Sequence, residues 1–127
     1  MRRLNDHIIT EDDNNLKVMS LDEPGPGGAY HVYEITGYDA SLRSDSENSD
    51  SLRILFQKGP IKEAGVNGIT QEVLLTVVLD RLRSFQDSPF RCKENACAIT
   101  HIEEALHWLQ QRTIQRLRRG VEGKDIV

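Results

Sequence analysis

The sequence predicts an α+β fold: a small antiparallel β-sheet followed by a long antiparallel α-helical hairpin. Two observations carry this. Short alternating apolar runs separated by turn-rich segments fill the first half. Two amphipathic stretches joined by Gln86-Asp87-Ser88-Pro89 fill most of residues 66–119. With 127 residues, the chain is expected to be one domain, β-rich over 1–59 and built of a connector and the hairpin over 60–127.

In the first half, His7-Ile8-Ile9-Thr10 and residues 16–21 read as short strands around the polar turn 11–15. Asp22-Glu23-Pro24-Gly25-Pro26-Gly27-Gly28 holds too many prolines and glycines for a regular element. Tyr30 to Thr36 alternates, placing His31, Tyr33 and Ile35 on one side of a strand. Residues 39–51 are rich in Ser and Asp and read as a mobile acidic loop. Leu52 to Gln57 supplies another strand, with Leu52, Ile54 and Phe56 on one face. Gly59-Pro60 ends it, and residues 61–68 connect to the hairpin.

The first hairpin helix starts near Thr70 with Glu72 in its first turn, where a carboxylate favours the free N–H groups. Leu74, Leu75, Val78, Leu79, Leu82 and Phe85 form one broad stripe, with Arg81 and Arg83 largely off it. Ser88 followed by Pro89 predicts a cap and first helical position for the second helix. Cys92, Ala96, Ile99, Ile102, Leu106, Leu109 and Thr113 then step by four and three, as in a helix–helix seam. Gly120 is the expected stop. A helix over 89–119 is roughly 45 Å long, against roughly 25 Å for 70–85. The overhang must be buried by the N-terminal half or by another copy of the chain.

The net charge of −4 is not that of a general nucleic-acid binder. Residues 1–59 carry six Lys/Arg against eleven Asp/Glu, while residues 60–127 carry ten against nine. Between residues 112 and 124, Arg112, Arg116, Arg118, Arg119 and Lys124 face a single acid, Glu122, with Asp125 following; this local basic excess suits a small anionic partner better than duplex DNA. Cys92 and Cys97, five apart on one helix, point to different faces and cannot bridge, so buried thiols in a reducing cytosol are expected. No membrane-length apolar run, signal peptide or lipidation motif is present, which predicts a soluble intracellular protein.

Catalysis has little support in the residues. His101 and His107 are six apart, not the i, i+4 pair of a helical metal site. No Cys-x-x-Cys or Ser/His/Asp arrangement stands out, and Gly25-Pro26-Gly27-Gly28 lacks the lysine and helix of a phosphate loop. Arg112 and Arg116, four apart, can present two guanidinium forks to a pyrophosphate; a solvated basic helix end is the plainer account. Phe85 can stack a base or simply pack near the turn. Asn95 can read a base or ribose edge or face water. Arg112 lies seventeen residues beyond Asn95, roughly 25 Å along a helix. If all four residues serve one mononucleotide-sized ligand, a second antiparallel chain must supply the arginines, giving a two-fold dimer with two equivalent pockets.

Several long motifs are recognisable: residues 61–70, residues 80–86, Cys92-Lys93-Glu94-Asn95, residues 103–113 and Arg119-Gly120-Val121-Glu122-Gly123. Together with Asp22-Glu23-Pro24-Gly25 and Gly27-Gly28-Ala29, they resemble the phage Thoeris anti-defence sponge family, over nearly the whole chain. The hairpin also resembles anti-CBASS sponges, which sequester cyclic oligonucleotides. The resemblance implies a non-enzymatic viral protein, without cofactor or metal, acting in the host bacterial cytoplasm. Such proteins bind the immune signal glycocyclic ADP-ribose between protomers without cleaving it. Some assemble as trimers of dimers with further sites for cyclic di- or trinucleotides. Carried over by position, Phe85 stacks, Asn95 makes a polar contact, and Arg112 and Arg116 meet the pyrophosphate. Gly120, Glu122 and Lys124 correspond to the additional cyclic-oligonucleotide site, where Lys124 replaces the usual threonine; Lys93 likewise replaces an arginine. The alternative reading is a phosphodiesterase-type enzyme that degrades the same signal.

Overall fold

The computed structural model describes residues 1–10, 15–45 and 49–120. The chain divides into two compact units, Met1–Lys58 and Gly59–Val127. The α+β expectation holds: an antiparallel sheet fills the first unit and long helices the second.

The sheet is a four-stranded meander of β1 (Arg2–Leu4), β2 (Lys17–Ser20), β3 (Val32–Thr36) and β4 (Ser51–Leu55), in that order. Val18 lies opposite Ile35, Ser20 opposite Tyr33, and Tyr33 opposite Ile54. The two-residue period therefore gathers Val18, Ser20, Tyr33, Ile35 and Ile54 on one face. The Tyr33 ring meets Phe56 edge-on, with centroids 5.6 Å apart.

The first strand corrects the sequence reading. Arg2–Leu4, not His7–Thr10, pairs with β2. His7 instead bonds through its ring Nε2 to the Leu16 carbonyl at 2.9 Å. Apolar character alone cannot tell which of two adjacent short runs finds a partner. The polar turn expected at 11–15 lies largely outside the described residues.

The acidic loop is also more ordered than its composition suggests. Residues Ala40–Leu42 form a 3-10 turn, and the Asp39 side chain accepts from the Ser41 N–H at 3.0 Å. Asp50 accepts from the Ala40 N–H at 2.8 Å, and Ala40 is buried. Arg43 grips Asp45 with two bonds of 2.7 Å. The aspartates that signal disorder in a composition count serve here as local acceptors for turn N–H groups. Residues 46–48 lie outside the described residues.

Asp22 anchors the segment after β2, in which Pro26–Gly28 form a short 3-10 turn where the sequence predicts a wholly irregular stretch. Its carboxylate oxygens accept from the backbone N–H groups of His31 (2.9 Å) and Val32 (3.3 Å). Beyond it, Gly28 donates to the Gly25 carbonyl at 2.9 Å, and Gly25 to that of Ala29 at 2.8 Å. Gly27 and Gly28 take φ of 73° and 77°, which a side chain would resist. Burial pushes the Asp22 pKa up. The N–H donors of His31 and Val32, its own backbone and the nearby His31 outweigh that and hold it below the usual carboxylate value. A pKa lowered by folding stabilises the fold at neutral pH, and that stabilisation is lost as pH falls through the lowered value. Asp22→Asn should thus cost stability at pH 7 and progressively less toward pH 3. Denaturant midpoints with an equal gap at both pH values would contradict this.

In the second unit, Ile61–Ala64 forms a single helical turn, α1, ended by Gly65 at φ 75°. Helix α2 spans Gln71–Gln86, with Thr70 Oγ1 accepting from the Val73 N–H at 3.3 Å, as an N-cap should. Helix α3 spans Lys93–Arg119 and ends on Gly120 in the left-handed conformation.

The start of α3 is a second correction. Ser88 and Pro89 do not open it: Ser88 Oγ donates to the Phe85 carbonyl at 2.6 Å and accepts from the Phe90 N–H at 3.1 Å, closing a turn instead. Cys92 is the cap, its Sγ accepting from the Asn95 N–H at 3.4 Å. Gln86 Oε1 holds the Cys92 N–H at 3.0 Å. Cys92 and Cys97 are both exposed rather than buried, because the hairpin seam begins beyond them.

Ile99, Ile102, Leu106, Leu109 and Thr113 of α3 are half-buried, as are Leu74, Leu75 and Leu82 of α2, while Leu79 is buried, and the two helices pack on each other. Arg83 near the end of α2 reaches Glu103 of α3 at 2.9 Å, which fits the antiparallel arrangement; exposed on both sides, it contributes little stability. With 27 residues against 16, α3 still outruns α2, by roughly 16 Å. Burial is thin: among the described residues, Ala40 and Leu79 are the only fully buried hydrophobic side chains. Val77, Phe90, Trp108 and Leu117 of the second unit are each more than 60% exposed.

Candidate functional site

At the turn end of the hairpin, Val77, Val78, Arg81, Leu82, Phe85, Phe90 and Asn95 line a groove of about 570 Å³. Its position follows from helical spacing. Val78, Arg81, Leu82 and Phe85 recur at three and four residues on α2, beside the stripe that packs on α3. Asn95 joins them from the first turn of α3, where the Cys92 cap fixes the backbone. Phe90 comes from the turn that Ser88 closes. The lining is apolar and aromatic with one amide and one guanidinium, a composition suited to the flat faces and polar edges of a nucleobase.

Of the four principal residues picked from the sequence, Phe85 and Asn95 are brought together in this groove. Arg112 and Arg116 are not. They lie in the last two turns of the same uninterrupted helix, with Arg112 roughly 25 Å from Asn95. Nor are the two arginines equivalent. Arg112 is exposed, whereas Arg116 is buried at 8% exposure. Counting on from the seam explains the difference: Thr113 plus three is 116, so Arg116 continues the buried face while Arg112 stands beside it. Gly120 is present as the αL stop of α3; Glu122 and Lys124 lie outside the described residues.

The sequence reading missed Arg81, Val77 and Phe90. Arg81 lies largely off the apolar stripe, yet it sits one turn before Phe85 and lays its guanidinium over that ring, 4.9 Å from the centroid. The i, i+4 arginine–aromatic spacing was the available signal.

One further set of side chains has the composition of a hydrolytic triad. Ser20 and His31 are buried, and Asp22 lies 4.0 Å from His31 Nδ1. Their arrangement does not support that chemistry. Among the described residues, Ser20 Oγ and His31 Nδ1 have no hydrogen-bond partner, and the Asp22 oxygens are engaged by backbone N–H groups. A nucleophile needs its base within hydrogen-bond reach and an approach for substrate; fully buried Ser20 has neither. Among the described residues, no three His, Cys, Asp or Glu side chains converge as a metal site would require. No described helix is long and apolar enough to cross a membrane.

Residues 48–113 match the family model described as the Acb2/Tad1 hairpin domain, more than half of the chain. The chain belongs to the Acb2/Tad1 hairpin family. The matched span contains Phe85, Asn95 and Arg112, so both ends of the divided residue set fall within it. A curated relative, Thoeris anti-defense 1 of Bacillus phage SBSphiJ7, is 56% identical over 68 residues. That alignment covers 54% of this chain and 48% of the relative; the match spans about half the relative's length. The sequence-level resemblance to Thoeris anti-defence proteins is thereby established at the level of family.

Proposed function

We propose that this protein is a phage anti-defence sponge. In this reading it binds glycocyclic ADP-ribose in the host bacterial cytoplasm and withholds it from the Thoeris effector without cleaving it. The observation that carries the reading is the hairpin groove, which gathers Phe85 and Asn95 into a base-sized, largely apolar site at one end of a helix whose other end carries Arg112 and Arg116. A family relative named for Thoeris anti-defence supports it.

The pocket in this proposal is shared. Two chains run antiparallel, so the arginines of one meet the Phe85 groove of the other, and a two-fold axis makes two such pockets. The exposed apolar side chains of the hairpin favour such association, since a monomer leaves them in water. Phe85 stacks the base, Asn95 bonds a base or ribose edge, and the arginines offset the pyrophosphate charge. Further assembly to a trimer of dimers, with a cyclic di- or trinucleotide site near Gly120, Glu122 and Lys124, belongs to the same proposal.

Sequestration asks for affinity rather than turnover. A nanomolar complex needs about −12 kcal/mol, attainable for a ligand of dinucleotide size enclosed by two chains. Slow release is the property that matters. To test this, excess protein is mixed with glycocyclic ADP-ribose, denatured, and the supernatant chromatographed. Full recovery of intact ligand from a complex that had removed it from solution is the expected result. With the ligand instead in excess, breakdown products exceeding the protein in amount would establish a phosphodiesterase.

A further inference from the structure

We infer that Arg81 is a ligand-binding residue of the groove, supplying a phosphate contact from the same protomer that supplies Phe85. The inference rests on the nucleotide-binding reading and extends it by naming where the first positive charge comes from.

Arg81 lines the groove together with Phe85, Phe90 and Asn95. Its guanidinium lies 4.9 Å from the centre of the Phe85 ring. That contact holds the side chain over an aromatic face at little further entropic cost, while the guanidinium edges stay open to an acceptor. Among the described residues no carboxylate pairs with it, in contrast to Arg83 two residues on, which is engaged by Glu103. The rest of the lining is apolar apart from the Asn95 amide, so an anion entering the groove meets a single local cation. A molecule with a flat base and a pyrophosphate satisfies both halves of this surface: the base against Val77, Val78, Leu82 and the phenyl rings, the phosphate on Arg81. Arg112, roughly 25 Å away on the same chain, cannot reach that phosphate without a second copy.

The test uses full-length protein and glycocyclic ADP-ribose in titration calorimetry, with Arg81→Met and Arg83→Met as charge-matched variants. Both positions are exposed, so both variants should fold. Arg81→Met is expected to weaken binding at least about tenfold, as losing a hydrogen bond from a charged donor does. Arg83→Met should stay within about twofold, its ion pair being exposed and outside the groove. Co-expression places the residue. Arg81→Met with Arg112→Ala should recover part of the sites, since one pocket of each mixed dimer is intact; Arg81→Met with Phe85→Ala should recover none. Unchanged affinity for Arg81→Met, an equal loss for Arg83→Met, or recovery with Phe85→Ala would overturn the assignment. A wild-type protein that binds none of the nucleotide would instead remove the functional reading itself, and the assignment with it.

Discussion

Phe85→Ala and Arg112→Ala should each abolish nucleotide capture in the pure protein and, co-expressed, restore about a quarter of the sites. On the proposed function, the first substitution removes the ring that would stack the base, and the second a guanidinium that would meet the pyrophosphate. Each loss should exceed about a hundredfold in affinity, because the remaining partners are left desolvated and unmatched. Restoration follows from the geometry of α3. Phe85 of α2 and Asn95 of α3 sit in the groove at one end, and Arg112 stands roughly 25 Å along α3 from Asn95. In the proposed dimer, one pocket therefore draws on two chains. Random pairing makes half the dimers mixed, and each mixed dimer holds one doubly defective and one intact pocket. Calorimetric stoichiometry reads this directly. If the mixture captures no more than the separate variants, the shared pocket is wrong, and all four residues must be reconsidered.

Gly37→Ala should be the most damaging small substitution in the sheet. Gly37 follows β3 at φ 100°, where an L side chain is strained. A Cβ there would also fall onto the backbone carbonyl of Asn15. Neither obstacle can be relieved by rotating a side chain, because the atoms in the way are main chain. The cost should be on the order of 3 kcal/mol, read as a lower denaturant midpoint of the N-terminal unit. Gly27→Ala is the matched comparison: its φ is also positive, at 73°, but nothing lies within 4 Å of the added carbon. It should lose only the strain component, on the order of 1 kcal/mol. Equal losses for the two would show that contact with Asn15 is not what Gly37 avoids.

Hairpin and sheet differ in how far local residues decide them. The 3.6-residue period, the Thr70 cap and the Gly120 stop place α2 and the end of α3 from sequence, since each depends on neighbours within one or two turns. The β4 strand and the Phe56 face are equally local. What defeated local reading was competition between near-equal options. Ser88-Pro89 has the chemistry of a helix start, yet Gln86 and Cys92 cap α3 four residues later, because the Phe85 carbonyl claims the serine hydroxyl. Likewise, it is Arg2–Leu4 and not His7–Thr10 that pairs with β2.

The residues at the candidate site divide along the same line. Residue type and spacing leave Phe85, Asn95, Arg112 and Arg116 with plainer roles as well, and the family resemblance is what singles them out; a helix rise of 1.5 Å per residue then separates them into two groups. That Arg81 turns back onto Phe85, that Phe90 closes the far wall, and that Arg116 is buried while Arg112 is open are decided only by packing. Each depends on which neighbouring surface a long or aromatic side chain finds, and periodicity carries no information about that choice.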